Sequence, residues 1–375
     1  MILHITNDYS GSTVYMNLVR EIDELGIQQI VYNPIREEKR IGKNKINFKV
    51  TDSNIMYSLI LNNFTDRILY RKKIHKILKD IEAKVDLSKI TCIHAHTWYS
   101  DGGVAYLLSK KYNIPYIVAI RNTDLNLFFK YFIHERSFGK KILESAKNII
   151  TISEVYKNRV LSQKSLSDSI SKIKSNVFVI PNGVDPFWLE NNTYKNQNLT
   201  NRNFKLLFIG NFNPGKNVLN LVKAVNLINQ NQPNTCSLTL VGGGGGDHKK
   251  IIEEIKGNPV ISFEGKVTDQ NELLTIYRNH DLFVMPSRAE TFGLVYIEAM
   301  LQGLPILYTT NEGIDGFYME NIGEKVSKEA DVNEIKQTLM RVMKHYNSYE
   351  IPIQKLIENH DWKKIVIKYI KLYTS

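Results

Sequence analysis

Cysteine is almost missing from this chain of 375 residues: Cys92 and Cys236 are the only two. Two thiols expected in different domains give no disulfide framework, and the expectation is a reducing, cytoplasmic setting. No apolar run approaches the ~20 residues that span a bilayer, so no membrane-crossing helix is expected. The opening Met1-Ile-Leu-His-Ile-Thr-Asn-Asp8 lacks the basic start and small-residue cleavage site of a secretory signal. It reads as a first core strand. Zinc-finger spacing, an RNP-like aromatic strand and a compact basic tail are also missing, which leaves nucleic acid without a docking motif.

What is present is a soluble globular composition, 43% hydrophobic and 23% charged. The length points to two domains rather than one core. A formal charge of +11 fits an anionic membrane surface or phosphorylated small substrates better than nucleic acid. Bias toward Lys, Asn and Ile accounts for some of that charge without any partner.

Apolar runs alternate with helical patterns. Ile2–Thr6, Gln28–Tyr32, Thr91–Ala95, Pro115–Ile120, Asn148–Ile152 and Val177–Ile180 read as strands, with helices over Val14–Leu25, Arg67–Ile81, Gly103–Tyr112 and Lys140–Ala146. Such alternation implies a doubly wound parallel sheet, with ligands beyond the carboxyl ends of its strands. Gly11 and Ser12 lie in the first such loop, which suits a phosphate or hydroxyl, although a plain turn would look the same. His94 and His96 are two apart and share one face of a strand. A metal site there would want a third ligand that the sequence does not assign, an acceptor-side base needs only one, and a structural role suits either. Arg121, with Asp124 three residues on, stands where a guanidinium can clamp an anion or make a structural ion pair. Ser153-Glu154 reads as a helix cap. Arg67, Arg71, Lys72, Lys73, Lys76 and Lys79 share one helix, and Leu127-Phe-Phe-Lys-Tyr-Phe-Ile133 is unusually aromatic. Together they suit an interfacial membrane surface, or an ordinary solvated helix face with core aromatics.

Residues 1–187 form the first expected domain, 188–203 a polar linker and 204–360 a second domain. A terminal helix over 361–375 is expected to pack back on the first, since Trp362, Ile365, Tyr369 and Tyr373 fall near one face. The second alternating series places Gly210, Asn211 and Lys216 between the strand Lys205–Ile209 and a helix. Five glycines, Gly242 to Gly246, follow the strand Ser237–Val241. That run permits backbone contact with a ligand and would equally make a loose turn. Val260–Phe263 is another strand and Gln270–Arg278 another helix. The run Leu282–Pro286 then feeds a helix, expected from about Phe292 to Gly303, through a loop holding Arg288, Glu290, Thr291 and Gly293. Glu298 lies inside that helix, with seven residues between it and Glu290. Helix N-terminal amides and glycine suit an anion, and the two carboxylates suit hydroxyls: a nucleotide sugar offers both.

Three motifs then come in a telling order: Gly-x-x-x-Pro-x-Lys at 210–216, Val-Gly-x-Gly at 241–244, and Pro-Ser-x-x-Glu-Thr-Phe-Gly at 286–293, followed by Glu298. With Pro181-Asn-Gly-Val-Asp185 and Gly303-x-Pro305, the set resembles the family-4 retaining glycosyltransferases of the GT-B fold, the glycosyl transferases group 1 type. The resemblance implies two Rossmann-like α/β domains facing a central cleft, the acceptor bound by the first and a nucleoside-diphosphate sugar by the second. It implies Lys216 on the diphosphate, amides near Phe292 and Gly293 on phosphate or sugar oxygens, Glu290 on the sugar and Glu298 on the ribose diol. Gly243 and Gly244 would lie against the donor, and the base would be read near Gly265, Lys266 and Val267. No metal or other cofactor is implied. The acceptor is expected to be a glycan or lipid-linked, in surface polysaccharide assembly at the inner membrane face. Two departures stand out. Asn211 replaces the family's arginine, and Arg121 stands where a histidine is usual. Arg288 or Arg121 is expected to supply the missing cation. A non-catalytic partner subunit and a nucleotide-sugar epimerase are the alternative readings.

Overall fold

Parallel pairing joins every strand among the described residues, the outcome that strand–helix alternation requires. The structure, a computed structural model, describes residues 1–193 and 203–374. It divides into two units, Met1–Gly183 with Trp362–Ser375, and Val184–Asp361.

The first unit holds β1 (Ile2–Ile5), β2 (Gln29–Ile35), β3 (Asn54–Leu59), β4 (Cys92–Ala95), β5 (Tyr116–Ala119), β6 (Asn148–Thr151) and β7 (Val177–Val179), in the order β3-β2-β1-β4-β5-β6-β7. Helices α1 (Thr13–Glu24), α2 (Thr65–Ile68), α3 (Tyr70–Lys84) and α4 (Ser100–Tyr112) cross between strands. The second unit holds β8 (Phe204–Gly210), β9 (Cys236–Gly242), β10 (Ile261–Gly265), β11 (Leu282–Val284), β12 (Ile306–Thr309) and β13 (Gly323–Val326), in the order β10-β9-β8-β11-β12-β13. Both are doubly wound, Rossmann-like sheets. Each has a point where strand order reverses, at β1/β4 in the first and β8/β11 in the second. Loops at these points splay apart and leave a crevice.

Helices cover the sheets through apolar faces. Ile74, Ile77 and Ile81 of α3 are fully buried in the first core with Val104 and Leu108 of α4. The other face of that sheet is covered by the terminal helix Trp362–Thr374: Trp362, Ile365, Tyr369 and Tyr373 pack with Ile2, Leu18, Cys92, Ile117 and Ile150. Capping residues set several starts. The Ser153 hydroxyl accepts from the Tyr156 N–H, and Asp269 and Asp331 cap Gln270–Arg278 and Val332–Lys344.

The sequence pattern misses three strands, and two of them have a common reason. β3 and β13 are sheet edges, with much of each strand open to solvent, so neither carries a full apolar run. β12 is buried throughout, but its Ile-Leu-Tyr-Thr directly follows the Gly303-Leu-Pro305 stop, so no punctuation separates it as a run of its own. The basic helix expected over Arg67–Ile81 is broken at Leu69 into α2 and α3. Its cations also do not share one solvated face, because Lys73 is buried and donates to Ser100 Oγ at 2.9 Å. Of the expected linker, residues 194–202 lie outside the described residues. Its first part is helical: Asp185 caps Pro186–Glu190, and Trp188 is buried edge-on against Tyr277.

Candidate functional site

At the reversal point of the second sheet, β8 and β11 are hydrogen-bonded neighbours, so the loops after them run side by side. The loop after β8 is a single 3-10 turn, Pro214–Lys216, ended by Asn217 in the left-handed conformation. It presents Lys216, whose Nζ lies 2.6 Å from Glu290 Oε2 and 3.6 Å from Met285 Sδ. The Arg288 N–H donates to Gly215 O at 2.8 Å and ties the two loops together. Lys216, Arg288, Glu290 and Thr291 are therefore one cluster, with Glu290 Oε1 accepting from the Thr291 N–H at 2.9 Å. Arg288 Nε is buried without a hydrogen-bond partner, whereas Asn211 is exposed.

A third loop supports this pair. The Glu290 N–H donates to Glu312 Oε2 at 3.2 Å, and Glu312 is itself buried with its other oxygen 3.3 Å from Lys328 Nζ. Gly313 donates its N–H to Glu290 O at 2.9 Å. A Cβ on Gly313 would meet Glu290 Cγ at 3.0 Å and Phe292 O at 3.1 Å, at a φ of +52°, so only glycine lets the loops approach this closely. Glu312 and Gly313 follow β12 and Lys328 follows β13, the two strands of this unit that the sequence pattern misses. A strand followed by Glu-Gly is the signal that would have found them.

Gly293 caps the helix Leu294–Leu301, which starts later than the Phe292 expected from sequence. The Phe292 side chain is buried against Phe317 and His360, so its backbone alone remains for ligand contact. Within the helix, Glu298 accepts from the Tyr277 hydroxyl at 2.9 Å. Burial pushes the Glu298 carboxyl up to about 7, against the opposing effect of the Tyr277 bond. Gly210 O accepts from the Gly243 N–H at 3.1 Å, and Phe212 donates to Gly244 O at 3.0 Å, which joins the glycine-rich loop after β9 to the loop after β8. Lys266 is exposed and Val267 partly buried, both beyond β10 and so two strands away from β8.

In the first unit, the loops at the β1/β4 reversal carry Gly11 and Ser12 on one side and His96 on the other. Gly11 is exposed, and Ser12 starts α1 without a side-chain cap. His96 and Asp124, the other acceptor-side candidates, are both buried. Asp124 accepts from the N–H groups of Trp98 (3.0 Å), Tyr99 (3.1 Å) and Arg121 (2.9 Å), which makes it a clamp between the loops after β4 and β5. Burial raises its carboxyl to about 6, and those backbone bonds pull the other way. Asp101 accepts from the Asn7 N–H at 3.2 Å and from Thr97 Oγ1 at 2.9 Å. Arg121 donates to His96 O and to Asn182 Oδ1, each at 3.3 Å, so the strand-end arginine is partly committed to structure.

His4 joins His94 and His96, the third histidine that sequence left unassigned. His4 Nδ1 and His96 Nε2 are 3.0 Å apart, the rings of His94 and His96 stack at 3.8 Å, and His94 Nδ1 meets the Tyr373 hydroxyl at 2.8 Å. Burial lowers the His4 pKa to about 3 and holds His94 and His96 well below the usual imidazole value. Arg121 adds to the depression at His94 and His96, and the same field opposes a buried dication.

The family described as Glycosyltransferase Family 4 matches residues 11–187, and that described as Glycosyl transferases group 1 matches residues 190–359. An uncharacterized glycosyltransferase of Methanocaldococcus jannaschii is 26% identical over 362 residues, 93% of this chain and 94% of its own. The capsular polysaccharide biosynthesis glycosyltransferase CapM of Staphylococcus aureus is 27% identical over 234 residues, 56% of this chain and 59% of its own. The crystal structure of HepE from Anabaena, solved with UDP-glucose, shares the fold at a TM-score of 0.68 and 15% identity, covering 100% of this chain and 99% of that one. With both halves matched and the two sheets Rossmann-like, the chain belongs to the family-4 glycosyltransferases and is a glycosyltransferase of the GT-B fold.

Proposed function

We propose that the enzyme transfers a sugar from a nucleoside-diphosphate sugar to a glycan or lipid-linked acceptor, with retention of configuration and without a metal ion. The observation that carries this reading is the Lys216–Glu290 pair, 2.6 Å apart at the β8/β11 reversal point, with Arg288 tied to the same loop. A cation and a carboxylate side by side match what the reaction separates: negative charge gathers on the leaving diphosphate and positive charge on the sugar ring. HepE, which holds UDP-glucose in its crystal structure, supports a nucleotide-sugar donor.

In this mechanism the bond from the anomeric carbon to the phosphate oxygen breaks, and its electron pair leaves with the nucleoside diphosphate. The acceptor oxygen bonds to the same face of that carbon, and its proton passes to the departing phosphate. Lys216 and Arg288 stabilise the leaving group, together with amides at the start of Leu294–Leu301. Glu290 binds sugar hydroxyls and lies near the developing positive ring. Glu298 accepts from the ribose diol. Gly11, Ser12 and Arg121 remain the acceptor-side proposals. CapM, by its name a capsular polysaccharide enzyme, supports a role in surface polysaccharide assembly, which would place the work at the inner membrane face. The test is a donor screen that reads nucleoside diphosphate release with and without candidate acceptors. Acceptor-dependent release from one donor supports the reading, and conversion of a donor to its isomer without release contradicts it.

A further inference from the structure

Two neighbouring segments of the first unit expose large apolar side chains that the fold does not use. Phe64, Ile68 and Leu69 lie at the start and break of α2 and α3, and Phe64 is 72% exposed. Leu127, Tyr131 and Ile133 lie on and just after the π-helical turn Asp124–Phe129, and Ile133 is 65% exposed. The segments are stapled to each other. Arg71 at the start of α3 reaches Glu135 at 2.7 Å and lies 3.6 Å over the Phe138 ring, while Tyr70 packs 6.0 Å from Phe128. The six apolar side chains thus flank one internal joint.

Within these two segments the surface charge has one sign. Over 62–79 and 124–136 the acids are Asp66, Asp124 and Glu135, and all are buried. Asp66 is paired with Lys76 and Glu135 with Arg71. Lys72, Lys76, Lys79 and Lys130 are exposed. A protruding apolar set whose own two segments expose only cations suits an anionic bilayer, where apolar groups enter the interface and lysines meet lipid phosphates. No helix among the described residues is long and apolar enough to cross a membrane, so the contact would be peripheral.

We propose that this face, Phe64, Ile68 and Leu69 with Leu127, Tyr131 and Ile133, docks the enzyme on an anionic phospholipid bilayer. Its place in the fold gives the docking a purpose. The segment before α2 leaves the carboxyl end of β3, and the Asp124 turn leaves that of β5. In a parallel sheet this is the end from which the Gly11–Ser12 loop also emerges, so docking brings the proposed acceptor loops toward lipid headgroups. That purpose rests on the lipid-linked form of the acceptor proposed above; the docking itself does not.

The experiment is vesicle co-sedimentation of the full chain without donor or acceptor, so that failure to dock and failure to transfer are read separately. Vesicles of phosphatidylcholine alone are compared with vesicles containing phosphatidylglycerol. The wild type is expected to sediment with the anionic vesicles at least tenfold better than with neutral ones, and to be released by high salt. Ile68→Ser with Ile133→Ser should lower that partition at least tenfold, and Lys72→Glu with Lys130→Glu should do the same by charge alone. Both double variants should melt like the wild type, because every substituted side chain is exposed. Equal partition of the wild type on the two vesicles, or wild-type partition of both double variants, would overturn the proposal. A dimer in solution that Ile68→Ser with Ile133→Ser makes monomeric would also overturn it, assigning the face to a second copy.

Discussion

Lys216 and Glu290 stand 74 residues apart in the chain, yet their charged atoms meet at 2.6 Å. Each is partly buried, and each is held by its own loop at neighbouring strand ends. Without a donor, the lysine's charge is met by the glutamate. On the proposed reading, a diphosphate at Lys216 would share Nζ with Glu290 or draw it away, coupling donor binding to release of the carboxylate toward the sugar.

Glu290→Gln follows from that competition. It leaves Lys216 without a rival anion, so a nucleoside diphosphate should bind as tightly as to the wild type or more tightly. Turnover should fall by roughly 100- to 1,000-fold, the usual cost of removing one electrostatic contact to a transition state. Calorimetric affinity alongside steady-state turnover reads both, and a parallel loss of affinity and rate would refute the competition.

Asn211 and Arg288 give a second test. If Arg288 supplies the cation that Asn211 no longer does, Arg288→Ala should weaken nucleoside diphosphate binding by about tenfold while sparing the free nucleoside, since only the phosphates meet it. Asn211→Arg on that background should restore affinity. Failure of the restoring change, with the single variant still impaired, would leave Arg288 a structural role.

With Glu298 on the ribose as proposed, binding and stability depend on pH in opposite senses. Its carboxyl titrates near 7 in the folded chain against 4.5 when unperturbed. The folded state therefore holds the proton between those values, and stability from this group is full below 4.5 and lost as pH rises through 7. The loss is on the order of 3 kcal/mol. A ribose diol prefers the ionised form, so nucleotide affinity should rise through pH 7. Glu298→Gln should abolish that rise and melt higher than the wild type at pH 8. The ligand's own phosphate titration is common to both proteins, so their difference isolates the residue.

His4 has the opposite linkage. Burial lowers its pKa to about 3 from 6.5, so the unfolded chain takes up the proton first as the solution is acidified. Its contribution is present at neutral pH and falls by about 2 kcal/mol between pH 6.5 and 5. The stability advantage of wild type over His4→Gln should shrink by that amount over the same range. Urea unfolding followed by the buried Trp98 of the same unit reads it, and an advantage independent of pH would contradict a neutral buried imidazole.

Much of the fold was legible because buried parallel strands carry continuous apolar runs and their loops carry the punctuation. Lys216, Glu290 and Glu298 stand out as candidates by that punctuation. What escaped depended on partners distant in sequence. His4 stands opposite His94 only through the β1/β4 register. Glu312 supports Glu290 through a loop whose strand was not recognised. Lys73 was grouped with solvated cations because helical spacing does not reveal which positions the neighbouring α4 covers. Asp124 has the look of a ligand-facing acid after a strand, and only the structure shows its oxygens turned to three backbone N–H groups.

The most direct test of the site is a single-turnover reaction with the active donor, comparing wild type with Lys216→Ala and reading product configuration by NMR. The account predicts a product with the donor's anomeric configuration from the wild type, and a rate lower by 100-fold or more in Lys216→Ala with unchanged folding. An inverted product, or a Lys216→Ala rate equal to the wild type, would contradict it.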